Sequence, residues 1–68
     1  MSVETFYNEM QVYGEYDTVD VELVNGAMHV RFDGTPDGLR RQFESLGTDK
    51  YGLDMTDVEG TGDFVVFE

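Results

Sequence analysis

Val19-Asp20-Val21-Glu22-Leu23, Asn25-Gly26 and Met28-His29-Val30-Arg31-Phe32 decide the fold of this chain. In the first run apolar and acidic residues alternate, the pattern of a strand with one face buried and one wet. Asn25-Gly26 follows, and both residues tolerate the positive φ that a type I′ turn requires. The third run alternates again, with Met28, Val30 and Phe32 on one face and His29 and Arg31 on the other. The stretch predicts a β-hairpin with an apolar inner face and a polar outer one.

Downstream, Asp33-Gly34 ends the hairpin and Thr35-Pro36 opens a helix. Thr35 is placed as its N-cap and Pro36 at its first position, where a missing N–H costs nothing. Leu39, Phe43 and Leu46 then fall at i, i+4 and i+7 on one face, and Gly47 is placed as the C-terminal stop. Arg40 and Glu44 are one turn apart and form a weak pair on its flank. Tyr51, Leu53 and Met55 alternate with Gly52, Asp54 and Thr56 as a third strand. Glu59-Gly60-Thr61-Gly62 reads as a turn, and Phe64-Val65-Val66-Phe67 as a short apolar fourth strand.

Upstream of the hairpin, Val3, Phe6, Tyr7 and Met10 fall at i, i+3, i+4 and i+7, one face of a helix. Ser2 is its cap, Glu4 suits its positive end and Gly14 stops it. A competing reading makes Met10 to Tyr16 an additional strand; the helix is preferred. The predicted order is α-β-β-α-β-β, a small single α+β domain over residues 1–68. Residues 1–16 form an N-terminal helix or arm, and residues 18–67 a ββαββ core whose mostly antiparallel sheet packs a helix on one face.

Fifteen acidic residues against four basic ones leave a net charge of −11 on 68 residues. Such a surface repels nucleic acid and anionic membranes, so neither is expected as a direct partner. One Lys, no Ile, two Asn, nine Val and eight Asp resemble the composition of proteins from salt-in extreme halophiles. In about 1 M salt the Debye length falls to about 3 Å, and neighbouring carboxylates scarcely repel. The alternative reading of the same charge is an acidic decoy that imitates nucleic acid and blocks a DNA- or RNA-binding protein. No apolar run approaches the roughly 20 residues that span a bilayer. Met1-Ser2-Val3-Glu4 lacks the basic start and apolar core of a secretory signal, so a cytoplasmic location is expected.

The residues that could carry chemistry are sparse. Cysteine is absent, the serines are Ser2 and Ser45, and the sole histidine is His29. A Ser–His–acid constellation is not expected from these, and the chain reads as a non-enzyme without cofactor. Asp54, Asp57, Glu59 and Asp63 surround Gly60 and Gly62, an oxygen-rich turn of the kind calcium favours. Their spacing fails the EF-hand pattern, since placing Gly60 at position six puts Met55 at position one. Gly60-Thr61-Gly62 opens no helix and is followed by no Lys, so it is no phosphate loop.

Aromatics are the remaining surplus. Phe32, Phe43, Phe64 and Phe67 suit the core, whereas four Tyr are many to hide in so small a domain. Phe6, Tyr7, Tyr13 and Tyr16, with His29 and Arg31 on the polar hairpin face, are the expected interface residues. A chain of this length buries only about 60% of its unfolded surface. Without a disulfide or zinc site, self-association is the stabilising device left. Contact is expected through the N-terminal aromatics, or by pairing of Phe64 to Phe67 as an edge strand across a two-fold axis. The four cations are expected to be neutralised mostly by neighbouring acids; where Arg40 and Arg41 face a partner, they pair with acids on a second copy. The functional expectation is a protein-interaction or regulatory module that self-associates, as a homodimer, or binds another protein.

Overall fold

The hairpin forms where the alternation places it. In the computed structural model, which describes residues 2–68, strand β1 (Asp20–Val24) pairs antiparallel with β2 (Ala27–Arg31). Asn25 and Gly26 turn the chain between them at φ 50° and 81°. That left-handed pair twists with the strands and fixes a register in which Asp20 faces Arg31, Glu22 faces His29 and Val21 faces Val30.

Strands β3 (Met55–Asp57) and β4 (Phe64–Phe67) complete a four-stranded sheet of order β1-β2-β4-β3, antiparallel at each junction. Phe64 to Phe67 is therefore an interior strand, not the edge expected from the sequence. Its composition explains why: Val65, Val66 and Phe67 are all buried, and a strand apolar on both faces belongs between two others. The ladder extends past the strand ends, with Phe32 N–H donating to Asp63 O at 2.8 Å and Asp54 and Glu68 exchanging both backbone bonds. The edges are β1, which carries Asp20 and Glu22, and the three-residue β3. Short and charged edges of this kind resist strand-to-strand aggregation.

Helices α1 (Ser2–Met10) and α2 (Asp37–Ser45) lie on the same side of the sheet. Phe43 of α2 is the hub, with ring centroids 5.1 Å from Phe6, 5.4 Å from Tyr16, 5.7 Å from Phe32 and 6.1 Å from Phe67. Met28, Val30, Val65 and Phe67 of the sheet close the core from below, each fully buried. The element order and the α+β class are those the sequence predicts.

Several local readings are corrected. Helix α1 ends at Met10, and the segment that offered a competing strand instead makes a 3-10 turn at Gly14–Tyr16. Helix α2 starts at Asp37 with Pro36 in its extended cap position (φ −55°, ψ 144°), and no side chain caps it. Thr35 is buried and its Oγ1 donates to the Thr18 carbonyl at 2.8 Å, tying the start of α2 to the chain entering β1. Gly47 does not stop the helix. The chain runs on through a π-helical turn, Leu46–Lys50, and Gly47 sits where a Cβ would lie 2.5 Å from Phe67 Cε1 and 2.8 Å from Phe6 Cε2. The glycine is there because two aromatic rings close over its backbone. Tyr51 and Leu53 are not in a strand: β3 begins only at Met55, and the Tyr51 ring packs 5.0 Å from Phe6. Among the described residues no helix is long and apolar enough to cross a membrane.

Candidate interaction face

Both helices cover one side of the sheet and leave the other open. Strand pleating and register define what the open side carries. One row across it is Asp20 of β1, Arg31 of β2 and Phe64 of β4. The next is Glu22, His29, Val66 and Thr56. Asp20, Val21, Glu22, His29, Arg31 and Phe64 enclose a shallow hollow of about 570 Å³. His29 also walls a second hollow of about 470 Å³ that reaches toward Thr56, Val58 and Val66.

Arg31 is the centre of this face. Its guanidinium lies 4.1 Å from the centroid of the Phe64 ring, in cation–π contact. His29 flanks the same ring at 5.8 Å. Although Asp20 stands opposite Arg31 in register, stacking draws the guanidinium toward β4, and Arg31 makes no ion pair among the described residues. Two other cations are neutralised within the chain. Arg40 Nη2 lies 2.8 Å from Asp63 Oδ1, in place of the Glu44 partner expected on the helix. Lys50 Nζ donates to Glu9 Oε1 at 2.9 Å, and that bond raises the Lys50 pKa. Glu44 is instead left with a raised pKa: burial disfavours its charge, Arg40 partly offsets this, and Asp57 adds to it.

The carboxylates around the β3–β4 loop have structural work. The two Asp57 oxygens accept the backbone N–H groups of Gly60 and Gly62 at 3.0 Å each, and Asp63 holds Arg40. No cluster of potential metal ligands forms among the described residues. Ser45 Oγ donates to Asp49 at 2.9 Å, away from His29.

The six residues expected at an interface divide between two sides of the molecule. Phe6 is fully buried among Phe43, Tyr51 and Phe67, and Tyr16 is 5% exposed against Phe43, so neither is a surface group. Burial, reinforced by Glu15 and Tyr13, raises the Tyr16 pKa, and its hydroxyl finds no partner among the described residues. Tyr7 is half-buried against the core. Tyr13 remains exposed, its hydroxyl donating to Glu9 at 3.4 Å. His29 and Arg31 lie together on the open sheet face. Phe64, assigned to the core by its apolar neighbours, joins them there. The signal for it was the alternation within Phe64-Val65-Val66-Phe67, which puts Phe64 and Phe67 on opposite faces.

No family model, curated protein or solved structure matches this chain.

Proposed function

We propose that this protein is a small interaction module that docks a protein chain on its open sheet face, within a cytoplasm of concentrated salt. The observation behind this reading is a half-buried Phe64 with Arg31 stacked on it, unpaired, beside a hollow on a surface otherwise dominated by carboxylates. Aromatic and Arg side chains carry a disproportionate share of binding energy at protein interfaces, the aromatics because they bury much area with few rotamers lost, Arg because its planar guanidinium stacks and donates as a pre-organised fork. Arg31 is held in place by its own stacking and retains its hydrogen-bonding fork for a partner. The acidic surroundings serve solvation. In dilute salt 11 net charges oppose self-association and binding of any acidic partner, and in molar salt they are screened beyond about 3 Å while contact pairs survive.

The test is capture of partners from lysate in molar KCl, comparing the wild-type chain with Arg31→Glu. The expected result is a partner retained at molar salt and lost with the variant. Retention by both chains alike would overturn the reading. So would a nucleic-acid-binding partner whose complex dissolves as salt rises, the behaviour of an acidic decoy.

A further inference from the structure

We infer that the occupant of the open face is a second copy of this chain, packed face to face about a two-fold axis parallel to the strands and running along β2; this rests on the docking reading above. The argument is the charge order of a single row. Across the sheet it reads acid, cation, aromatic: Asp20, Arg31, Phe64. A two-fold along β2 reverses that row over itself, so that β1 of each copy lies above β4 of the other. The partner's Asp20 then arrives above Phe64, where the Arg31 guanidinium already sits 4.1 Å from the ring. The same operation brings Asp20 of the first copy to the partner's Arg31. One surface supplies both halves of two identical ion pairs, which is what an isologous interface requires.

The alternatives fit less well. A basic partner would find acids over the whole molecule and gain nothing from a face whose centre is cationic. Pairing of β1 edges would bring the acidic side chains of two copies of the same strand together, which is unfavourable. An acidic partner does suit Arg31, and this chain is itself such a partner, with a carboxylate one strand spacing from the guanidinium it must reach. The screened solvent completes the case. Two copies bring 22 negative charges together (twice the −11 of each chain), a repulsion felt over about 10 Å at 0.1 M salt and about 3 Å at 1 M. Dimerisation therefore strengthens as salt rises, the opposite of an association steered by unlike net charges. A standard interface buries roughly 800 Å² per partner and smaller ones are weak or transient, so the dimer is sought at chain concentrations up to about 1 mM.

Sedimentation equilibrium in molar KCl tests this with a charge swap. Wild type is expected to dimerise. Arg31→Glu and Asp20→Arg each place like charges together twice, and each alone should weaken the dimer at least about tenfold. An equimolar mixture of the two restores both unlike pairs and should dimerise again, as should the double variant Asp20→Arg with Arg31→Glu. Both positions are exposed, so each variant is expected to keep its fold, and circular dichroism is the check on this. A wild-type chain that stays monomeric up to about 1 mM overturns the proposal. A dimer indifferent to Arg31→Glu, or a mixture that fails to recover, overturns it as well. If wild type is monomeric yet captures a different protein in an Arg31-dependent way, the second copy is the wrong occupant while the docking face stands; if it captures no protein at all, the docking reading itself fails.

Discussion

The two faces of the central hairpin are built from neighbouring residues and have opposite fates. On β2, Met28 and Val30 are fully buried in the core that Phe43 and Phe67 share, whereas His29 and Arg31, one residue away, look onto open solvent and a single aromatic ring. The period of two separates what holds the molecule together from what it presents to others. In a chain of 68 residues this separation is demanding, because one layer of helices can cover only one side of a four-stranded sheet. The inner face carries the stability, and the outer face is free to carry recognition.

The first way to break the comparison is to exchange the fates of the faces. Phe43→Ala removes the ring that four other aromatics touch, and a cost of about 3–5 kcal/mol is expected, enough to unfold much of so small a domain. On the outer face, Arg31→Glu should change stability by no more than about 0.5 kcal/mol in molar KCl. Chemical denaturation of both variants in that buffer measures the contrast. Equal losses would mean that the open face is part of the core.

Gly47→Ala probes the inner face from the helix side. Its Cβ would meet the Phe67 and Phe6 rings at under 3 Å, so the rings must shift and a cost of about 1–3 kcal/mol is expected, despite a substitution that normally favours helical backbone. A melting temperature equal to wild type would show that the rings give way freely.

Tyr16→Phe asks whether the N-terminal aromatics belong to the core. Its hydroxyl is buried without a partner, so its removal should leave stability unchanged or raise it by up to about 1 kcal/mol. A clear loss in thermal melts would place that hydroxyl in a hydrogen bond.

The smallest effect belongs to Glu44. Its folded-state pKa is raised, so the folded chain takes up this proton before the unfolded chain does as pH falls. Stability gains from this group as pH drops through the raised value, and the gain ends near the ordinary value of 4.5. Glu44→Gln should therefore stabilise the protein at neutral pH, by no more than about 0.5 kcal/mol for a partly solvated group, with the advantage vanishing in acid. Melting temperatures against pH give the sign directly, and an advantage that grows in acid would contradict it.

What the sequence made legible follows the same division. The hairpin, its turn and its inner face were readable because alternation and Asn25-Gly26 are local signals. Strand order was legible only in part: a run apolar on both faces marks an interior strand, but nothing local says that it lies beside β2, a choice that goes with Phe67 packing against Phe6 and Phe43. Gly47 and Thr35 were misread for the same reason. Each resembles a helix signal locally, while its role is set by a residue far along the chain, Phe67 in one case and Thr18 in the other. Of the open face, His29 and Arg31 were legible from alternation. Phe64 was legible only in part: the period of two sets it on the face opposite Phe67, but a run apolar throughout does not mark which of the two faces is buried.

If association uses the open sheet face and spares the N-terminal aromatics, amide chemical shifts followed over a dilution series in molar KCl will show it. Concentration-dependent shifts are expected to group at Asp20, Glu22, His29, Arg31 and Phe64, with Tyr7 and Tyr13 unmoved. Shifts grouped at Tyr7 and Tyr13, with the open face silent, would contradict it.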